Sequence, residues 1–180
     1  MELTRETIGA IYDRLFSGES AFVYAILDGA SIHDLPQILQ RSEVEHDCLF
    51  PGKLEPDMEA VAPYLVKLEP ESGFTAQMIE SGWGEHWGVF AHSDLDMLQM
   101  RLHLRPLLIV VHPNGSRVRF RYYDPRVLRV FLPTCTAEEL SEMFGPIQSY
   151  LLEDEDTNNM LRFKFESGIL RRDSFTLEPR

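Results

Sequence analysis

The nearly unbroken apolar run from Ala21 to Leu27 restricts the fold of this chain more than any other segment. It contains Phe22, Val23 and Ile26, and it lacks the polar alternation of a strand that has one face in water. The polar and flexible residues Asp28-Gly29-Ala30 then end the run. A strand that is apolar on both sides needs cover on both faces of its sheet. The run therefore predicts a central β-strand.

Segments with helical periodicity alternate with other short apolar runs along the chain. Thr4 to Phe16 has the spacing of an amphipathic helix. Asp94 is placed to cap a second helix, in which one face is shared by Leu95, Leu98 and Leu102. A length of 180 residues with 44% hydrophobic residues is enough for one core. We therefore predict an α/β fold, with residues 1–180 in a single domain and a mixed, partly antiparallel sheet flanked by helices.

A hairpin is predicted in the second half of the chain. Leu107 to Val111 is a continuous apolar run, and Pro113-Asn114-Gly115-Ser116 has the composition of a turn. The antiparallel partner would be Arg117 to Tyr123, whose alternation places Val118, Phe120 and Tyr122 on a core face. The opposite, charged face would carry Arg117, Arg119, Arg121 and Tyr123.

The C-terminal residues 147–180 are predicted to form a hairpin and a tail. Ile147 to Leu152 and Met160 to Phe165 have strand character, and the acidic turn Glu153-Asp154-Glu155-Asp156 separates them. The residues that follow are mostly polar and predict a tail.

Charge and composition exclude several classes of protein. A net charge of -12 argues against general nucleic-acid binding, which needs a broad positive surface. We find no positive region followed by a long apolar core near residue 1 and no apolar run of about 18 residues, so we expect a cytoplasmic protein without a membrane partner. Cys48 and Cys135 are far apart and belong to no CxxC pattern, which favours reduced thiols over a disulfide or zinc site.

Catalytic signatures are missing from the sequence. It has no GxSxG, no HExxH and no glycine-rich phosphate loop, so we expect neither an enzyme nor a cofactor. His86 and His92 flank one predicted strand, and a metal site there is the weaker alternative to structural histidines. Asp28 ends a buried strand, where α/β folds often place functional carboxylates, but a loop-stabilising Asx turn is the stronger interpretation.

Arginines are concentrated between residues 102 and 130. This segment has six arginines against Asp124 alone, a local net charge of +5 in an acidic chain. One interpretation is a docking face for an acidic partner, with Arg117, Arg119, Arg121 and Tyr123 as the contact residues. The alternative is that the arginines pair with the protein's own carboxylates or simply face solvent.

A helix start lies within this arginine-rich segment. Pro125 suits the first position of a helix, and Asp124 suits its N-cap. Arg126 lies two residues after Asp124 and is expected to close a local network with that carboxylate.

Six short blocks follow one another along the chain: Leu27-Asp28-Gly29-Ala30, Ala62-Pro63-Tyr64-Leu65-Val66, Gly82-Trp83, the segment Arg101 to Val111, Phe120-Arg121-Tyr122-Tyr123-Asp124-Pro125-Arg126-Val127-Leu128 and Phe144-Gly145-Pro146. Taken in this order, the blocks resemble the effector adaptor family of bacterial type VI secretion, which was first catalogued as a domain of unknown function. The resemblance covers roughly residues 20–150, and its most specific part is the block from Phe120 to Leu128.

The resemblance implies a non-enzymatic chaperone that binds a toxic effector and helps to load it onto the VgrG spike. Its expected partners are therefore the cognate effector and VgrG. Two alternatives from other classes are an immunity protein, which would block its toxin's active site, and a small hydrolase, which would need a polar cleft around Asp28, His86 or His92.

Overall fold

A large β-sheet is the framework of the computed structural model, which describes residues 3–111 and 114–177. The strands are β1 (Phe22–Asp28), β2 (His46–Cys48), β3 (Pro63–Leu68), β4 (Gly88–Ser93), β5 (Ile109–Val111), β6 (Arg117–Arg119), β7 (Ile147–Glu153), β8 (Asn159–Glu166) and β9 (Ile169–Thr176). Seven of them form the large sheet in the order β2-β3-β1-β4-β7-β8-β9, and β5 and β6 form a separate small sheet. The paired strands of both sheets run antiparallel.

Helices connect and cover these strands. They are α1 (Arg5–Phe16), α2 (Leu35–Ser42), α3 (Pro56–Ala60), α4 (Gly73–Gly82), α5 (Met97–Leu104), α6 (Pro125–Phe131) and α7 (Ala137–Phe144), with short 3-10 turns at Pro106–Leu108 and Leu132–Thr134. The helix predicted from Thr4 is confirmed, because the Thr4 side chain accepts a hydrogen bond from the Thr7 backbone N–H and caps α1.

Strand β1 is central, as its apolar run predicts. Tyr24, Ala25 and Ile26 are all fully buried although successive side chains of a strand point to opposite faces. Both faces of the sheet are therefore covered around β1. The Tyr24 hydroxyl donates a hydrogen bond of 2.7 Å to the Leu95 carbonyl, so the polar end of this buried ring has a partner.

The prediction of a C-terminal tail is wrong, because most of the residues assigned to the tail form strand β9. This strand pairs with β8 along its whole length, from Asn159 opposite Thr176 to Glu166 opposite Ile169. An edge strand with one face in water is rich in polar residues. Its composition is therefore similar to that of a polar tail. The ion pair between Arg162 and Asp173, at 2.6 Å, joins the two strands.

The predicted α/β fold with a sheet flanked by helices is confirmed, but the sheet was expected to be mixed, and the strand pairs of the described residues are all antiparallel. The buried apolar side chains of the described residues form one continuous core, from Ile11 in α1 to Leu177 beyond β9. None of the helices in the described ranges is long and apolar enough to cross a membrane. Pro113, part of the predicted hairpin turn, lies outside the described residues.

Candidate functional site

The β5–β6 hairpin lies apart from the main sheet and exposes apolar side chains. Its strands pair only with each other, in the register Ile109 to Arg119, Val110 to Val118 and Val111 to Arg117. The four apolar residues of the hairpin are exposed: Ile109 by 44%, Val110 by 38%, Val111 by 66% and Val118 by 42%. The hairpin therefore presents β-branched side chains to solvent instead of to a core.

Helix α5, which precedes the hairpin, adds to this exposed apolar area. Leu98 and Leu102 share a face of α5 as predicted, but they are 52% and 60% exposed. The buried residues of the helix are Met97, Met100 and Leu104. A helix that is apolar on several sides leaves the choice of its buried face to packing, and here the leucine face lies outward. Asp96, and not the predicted Asp94, caps this helix.

A groove of about 580 Å³ connects α5 with the hairpin. Its floor contains the buried side chains of Phe50 and Leu108, and exposed Leu102 and Ile109 lie at its edges. The apolar groove is lined by Phe50, Pro51, Leu54, Met58, Leu102, Arg105, Pro106, Leu108, Ile109 and Arg119. A concave, mostly apolar surface with a few polar groups is the usual form of a binding site.

Two arginines line this apolar groove and are held in place by different contacts. The Arg119 guanidinium lies over the Phe50 ring, 4.3 Å from its centroid, in a cation–π contact. Arg105 donates a hydrogen bond of 2.9 Å from Nη2 to the Cys48 carbonyl, and its nearest carboxylate oxygen, on Asp47, is 3.9 Å away. Asp47 itself pairs more closely with Arg101. The groove therefore has a positive rim.

The four residues predicted to share a docking face do not lie together. Arg117 and Arg119 lie on strand β6 and are exposed. The strand ends at Arg119, and the chain then turns toward the core. Tyr123 is only 4% exposed, and its predicted place on an outer face is wrong. The Asp124 N–H donates to the Arg121 carbonyl at 3.0 Å, and this tight turn replaces the strand on which the predicted alternation depended.

The inner face of the predicted strand also differs from the expectation. Val118 is exposed, whereas Tyr122 is fully buried and donates a hydrogen bond of 3.0 Å to the Leu104 carbonyl. Phe120 is half-buried against Phe131, with ring centroids 4.5 Å apart in an edge-to-face arrangement. These two aromatic residues anchor the base of the hairpin on α5 and α6.

Asp28 stabilises its loop, as the Asx-turn interpretation predicts. Its carboxylate accepts hydrogen bonds from the Ala30 backbone N–H at 3.1 Å and from the Ser31 hydroxyl at 2.8 Å. The same carboxylate, 1% exposed, also pairs with Arg121. This ion pair joins the end of β1 to the segment that follows the hairpin, across 93 residues of sequence. Arg121 is therefore a structural residue, which fits the pairing alternative for this arginine.

The local network around Asp124 is confirmed. Asp124 caps α6 by accepting from the Arg126 backbone N–H, and the Arg126 side chain donates two further bonds of 3.0 and 2.8 Å to the same carboxylate. Burial would raise the pKa of Asp124, but hydrogen bonds from Arg126 and the charges of Arg126 and Arg121 outweigh it and lower the pKa. Pro125 occupies the first turn of α6 as predicted.

The histidines of the predicted polar cleft lie in different places. His92 is buried, and its Nε2–H donates to the Leu15 carbonyl at 2.8 Å, so Nδ1 accepts from the Ser149 hydroxyl at 3.0 Å. His86 pairs with Glu153 instead. Asp28 pairs with Arg121 and not with a histidine. In the described ranges, no group of three or more His, Cys, Asp or Glu side chains is placed to hold a metal ion.

Both cysteines are free thiols with little tendency to ionise. Burial raises the pKa of Cys48, against hydrogen bonds that lower it. Burial and the nearby charge of Glu139 raise the pKa of Cys135 to about 11. A thiol must ionise to act as a nucleophile, and these surroundings oppose ionisation.

Sequence reasoning missed the apolar groove. The groove joins residues after β2 to α5 and the hairpin, and their sequence separation hides it. A local signal was the excess of apolar residues in α5, where Met97, Met100 and Leu104 lie outside the face shared by Leu98 and Leu102.

One comparison identifies the family of the chain. The model of a family described as Domain of unknown function (DUF4123) matches residues 23–142, two thirds of the sequence. The chain belongs to the DUF4123 family. The matched residues begin in β1 and end in α7, so the DUF4123 region includes the apolar groove, the hairpin and the Asp28–Arg121 pair. No curated protein and no solved structure matches the chain.

Proposed function

We propose that this protein is a non-enzymatic, cytoplasmic adaptor that binds a type VI secretion effector and helps to load it onto the VgrG spike. The observation that carries the proposal is the exposed apolar surface formed by α5, the β5–β6 hairpin and the apolar groove. The sequence blocks quoted above supply the identity of the partners by resemblance.

An exposed apolar surface of this kind favours a binding function. Isolated apolar residues are common on protein surfaces, but contiguous patches with a polar rim are typical of interaction sites. Leu98 and Leu102 lie on α5, and Leu102 and Ile109 both line the groove that leads to the hairpin. Binding by such a surface needs no covalent chemistry, and the charged rim adds orientation and selectivity.

Co-purification tests the proposal. The tagged protein is co-expressed with the proposed cognate effector and VgrG, and we expect it to retain the effector and VgrG together. Retention of neither component by the wild-type protein would contradict the adaptor function. If instead the protein neutralises the toxin and does not retain VgrG, it is an immunity protein.

The variant that tests the basic residues is chosen from their contacts. Arg117 and Arg119 are exposed, so the double change Arg117→Glu and Arg119→Glu should weaken effector retention while the protein stays folded. Arg121 is left unchanged, because it pairs with buried Asp28 and its loss would affect folding. Circular dichroism of the double variant provides the control for folding.

A further inference from the structure

The charges that line the apolar groove are all positive. Arg105 and Arg119 are among its ten lining residues, and the lining includes no carboxylate. The chain as a whole has 29 acidic residues against 17 lysines and arginines. The charge of the groove lining is therefore opposite in sign to the net charge of the chain. Another cavity of the protein, between α2 and β3, is lined by Glu43, Glu45 and Glu69 together with Lys67.

The two arginines of the rim have charge left for an external partner. Arg119 makes no ion pair within the described residues, and its guanidinium is held at the edge of the groove by the Phe50 ring. Arg105 is anchored to the Cys48 carbonyl, and its ion pair with Asp47 is long, at 3.9 Å, because Asp47 pairs more closely with Arg101. Cations fixed in this way lose little side-chain freedom when they bind a carboxylate.

A second copy of this chain is a poor occupant. A two-fold contact through the groove would place Arg105 and Arg119 near the same arginines of the other copy. Each chain also has a net charge of -12, so association would bring two strongly acidic molecules together. Like charges across an interface disfavour binding.

We propose that the apolar groove binds an acidic amphipathic segment of the partner polypeptide, with its apolar side chains on the floor and its carboxylates toward Arg105 and Arg119. This inference rests on the proposed adaptor function and names the part of the effector that the adaptor recognises. The apolar floor supplies the contact area, and the arginines select acidic segments by charge-assisted hydrogen bonds.

Selection from a library of random 12-residue peptides displayed on phage tests the inference on the intact protein. We expect enriched peptides to combine acidic residues with large apolar residues. Synthetic copies should bind the variants Leu102→Ser and Arg119→Glu at least tenfold more weakly than the wild type. Enriched peptides without an acidic excess, or no enrichment at all, would overturn the inference.

Two matched variants on the opposite edge of the sheet serve as controls. Ile169 is 62% exposed, close to the 60% of Leu102, and the Arg171 side chain is 66% exposed, so Ile169→Ser and Arg171→Glu repeat the two changes on β9. The controls should bind the peptides as the wild type does. Equal losses of peptide affinity in the groove and control variants would contradict the assignment to the groove. A wild-type dimer in sedimentation experiments that dissociates only in Leu102→Ser would also contradict it, because a second copy would then occupy the groove.

The same variants separate this inference from the proposed function. If the wild type retains the effector, and Leu102→Ser and Arg119→Glu retain it equally well, the groove assignment fails while the adaptor function stands. If the wild type retains neither effector nor VgrG, the adaptor function fails whatever peptides the groove selects.

Discussion

At the scale of single residues, the pair of Asp28 and Arg121 joins two distant parts of the chain. Burial disfavours the charge of Arg121, but the charge and hydrogen bond of Asp28 outweigh it and raise the pKa of Arg121. The Asp28 carboxylate is buried, whereas 45% of the Arg121 side chain is exposed. Solvent therefore screens the ion pair only on the side of Arg121. Removal of Arg121 would leave the buried Asp28 carboxylate without its cation, which is more unfavourable than leaving the partly exposed Arg121 without Asp28.

The change Asp28→Ala should lower the free energy of unfolding by about 2 kcal/mol, because it removes an acceptor for two local hydrogen bonds and one guanidinium. Urea unfolding measures the change. The control is Asp173→Ala, which removes a partly exposed cross-strand pair with Arg162 and should cost about 0.5 kcal/mol. Equal losses in the two variants would contradict the structural role of Asp28.

Buried His92 makes stability depend on pH. Burial lowers its pKa below the ordinary value of 6.5; the hydrogen bond to the Leu15 carbonyl opposes this shift, and the charges of Arg162 and Lys164 add to it. The unfolded chain therefore binds a proton near pH 6.5 that the folded protein does not yet bind. As the pH falls below 6.5, the free energy of unfolding should decrease, by at most about 1.4 kcal/mol per pH unit for one histidine.

Urea unfolding at about pH 7.5 and about pH 5.5 measures this dependence on both sides of the histidine pKa. The loss should be smaller in His92→Gln than in the wild type. A remainder is expected from His103, whose pKa burial also lowers against a hydrogen bond to the Met143 carbonyl. An unchanged loss in His92→Gln would show that this histidine is not the source.

At the scale of elements, helix α5 serves the core on one side and the apolar groove on the other. Met100 and Leu104 are fully buried, while Leu98 and Leu102 are exposed. The Leu104 carbonyl also accepts the hydrogen bond from Tyr122 that holds the base of the hairpin. Helix α5 therefore contributes Leu102 to the groove and holds the base of the hairpin that lines another part of it.

Substitution of two leucines in α5 tests this division. Leu104→Ala should lower the free energy of unfolding by about 3 kcal/mol, because it removes buried methyl groups and leaves a cavity. Leu102→Ala should change it by less than about 0.5 kcal/mol, because the side chain already contacts water. Thermal or urea unfolding measures both, and similar losses would contradict the burial pattern of the helix.

At the scale of the whole molecule, net charge opposes association through the exposed apolar surface. The charge of -12 repels other copies near neutral pH, but this repulsion vanishes near the isoelectric point of about 4.9. At that pH, no long-range charge repulsion opposes contact between different copies through exposed side chains such as Leu102 and Val111.

Light scattering should therefore show association of the wild type near pH 4.9 and little association near neutral pH. The double variant Leu102→Ser and Val111→Ser should associate less at the lower pH, since it removes part of the apolar surface. The variant Ile169→Ser should behave as the wild type does. Equal association of all three proteins would contradict a role for the groove and hairpin.

Local patterns in the sequence were enough to determine several parts of the fold. The apolar run before Asp28 predicted the central strand, Thr4 predicted the start of α1, and Asp124 with Pro125 predicted the start of α6. Each of these features depends on residues that are close in sequence, since caps, turns and strand propensity act over a few residues. The same holds for the Asx turn of Asp28 and the pairing of Arg126 with Asp124.

Only the tertiary structure decided which side chains remain exposed. The alternation after Arg117 predicted a continuous strand, but the chain turns after Arg119 and buries Tyr123, and Arg121 finds its partner on β1. The leucines of α5 were expected to share one face of the helix. They do, but packing against the sheet placed the other face of α5 in the core. The sequence by itself therefore determined the elements, whereas burial depends on contacts between distant segments, and those contacts created the apolar groove.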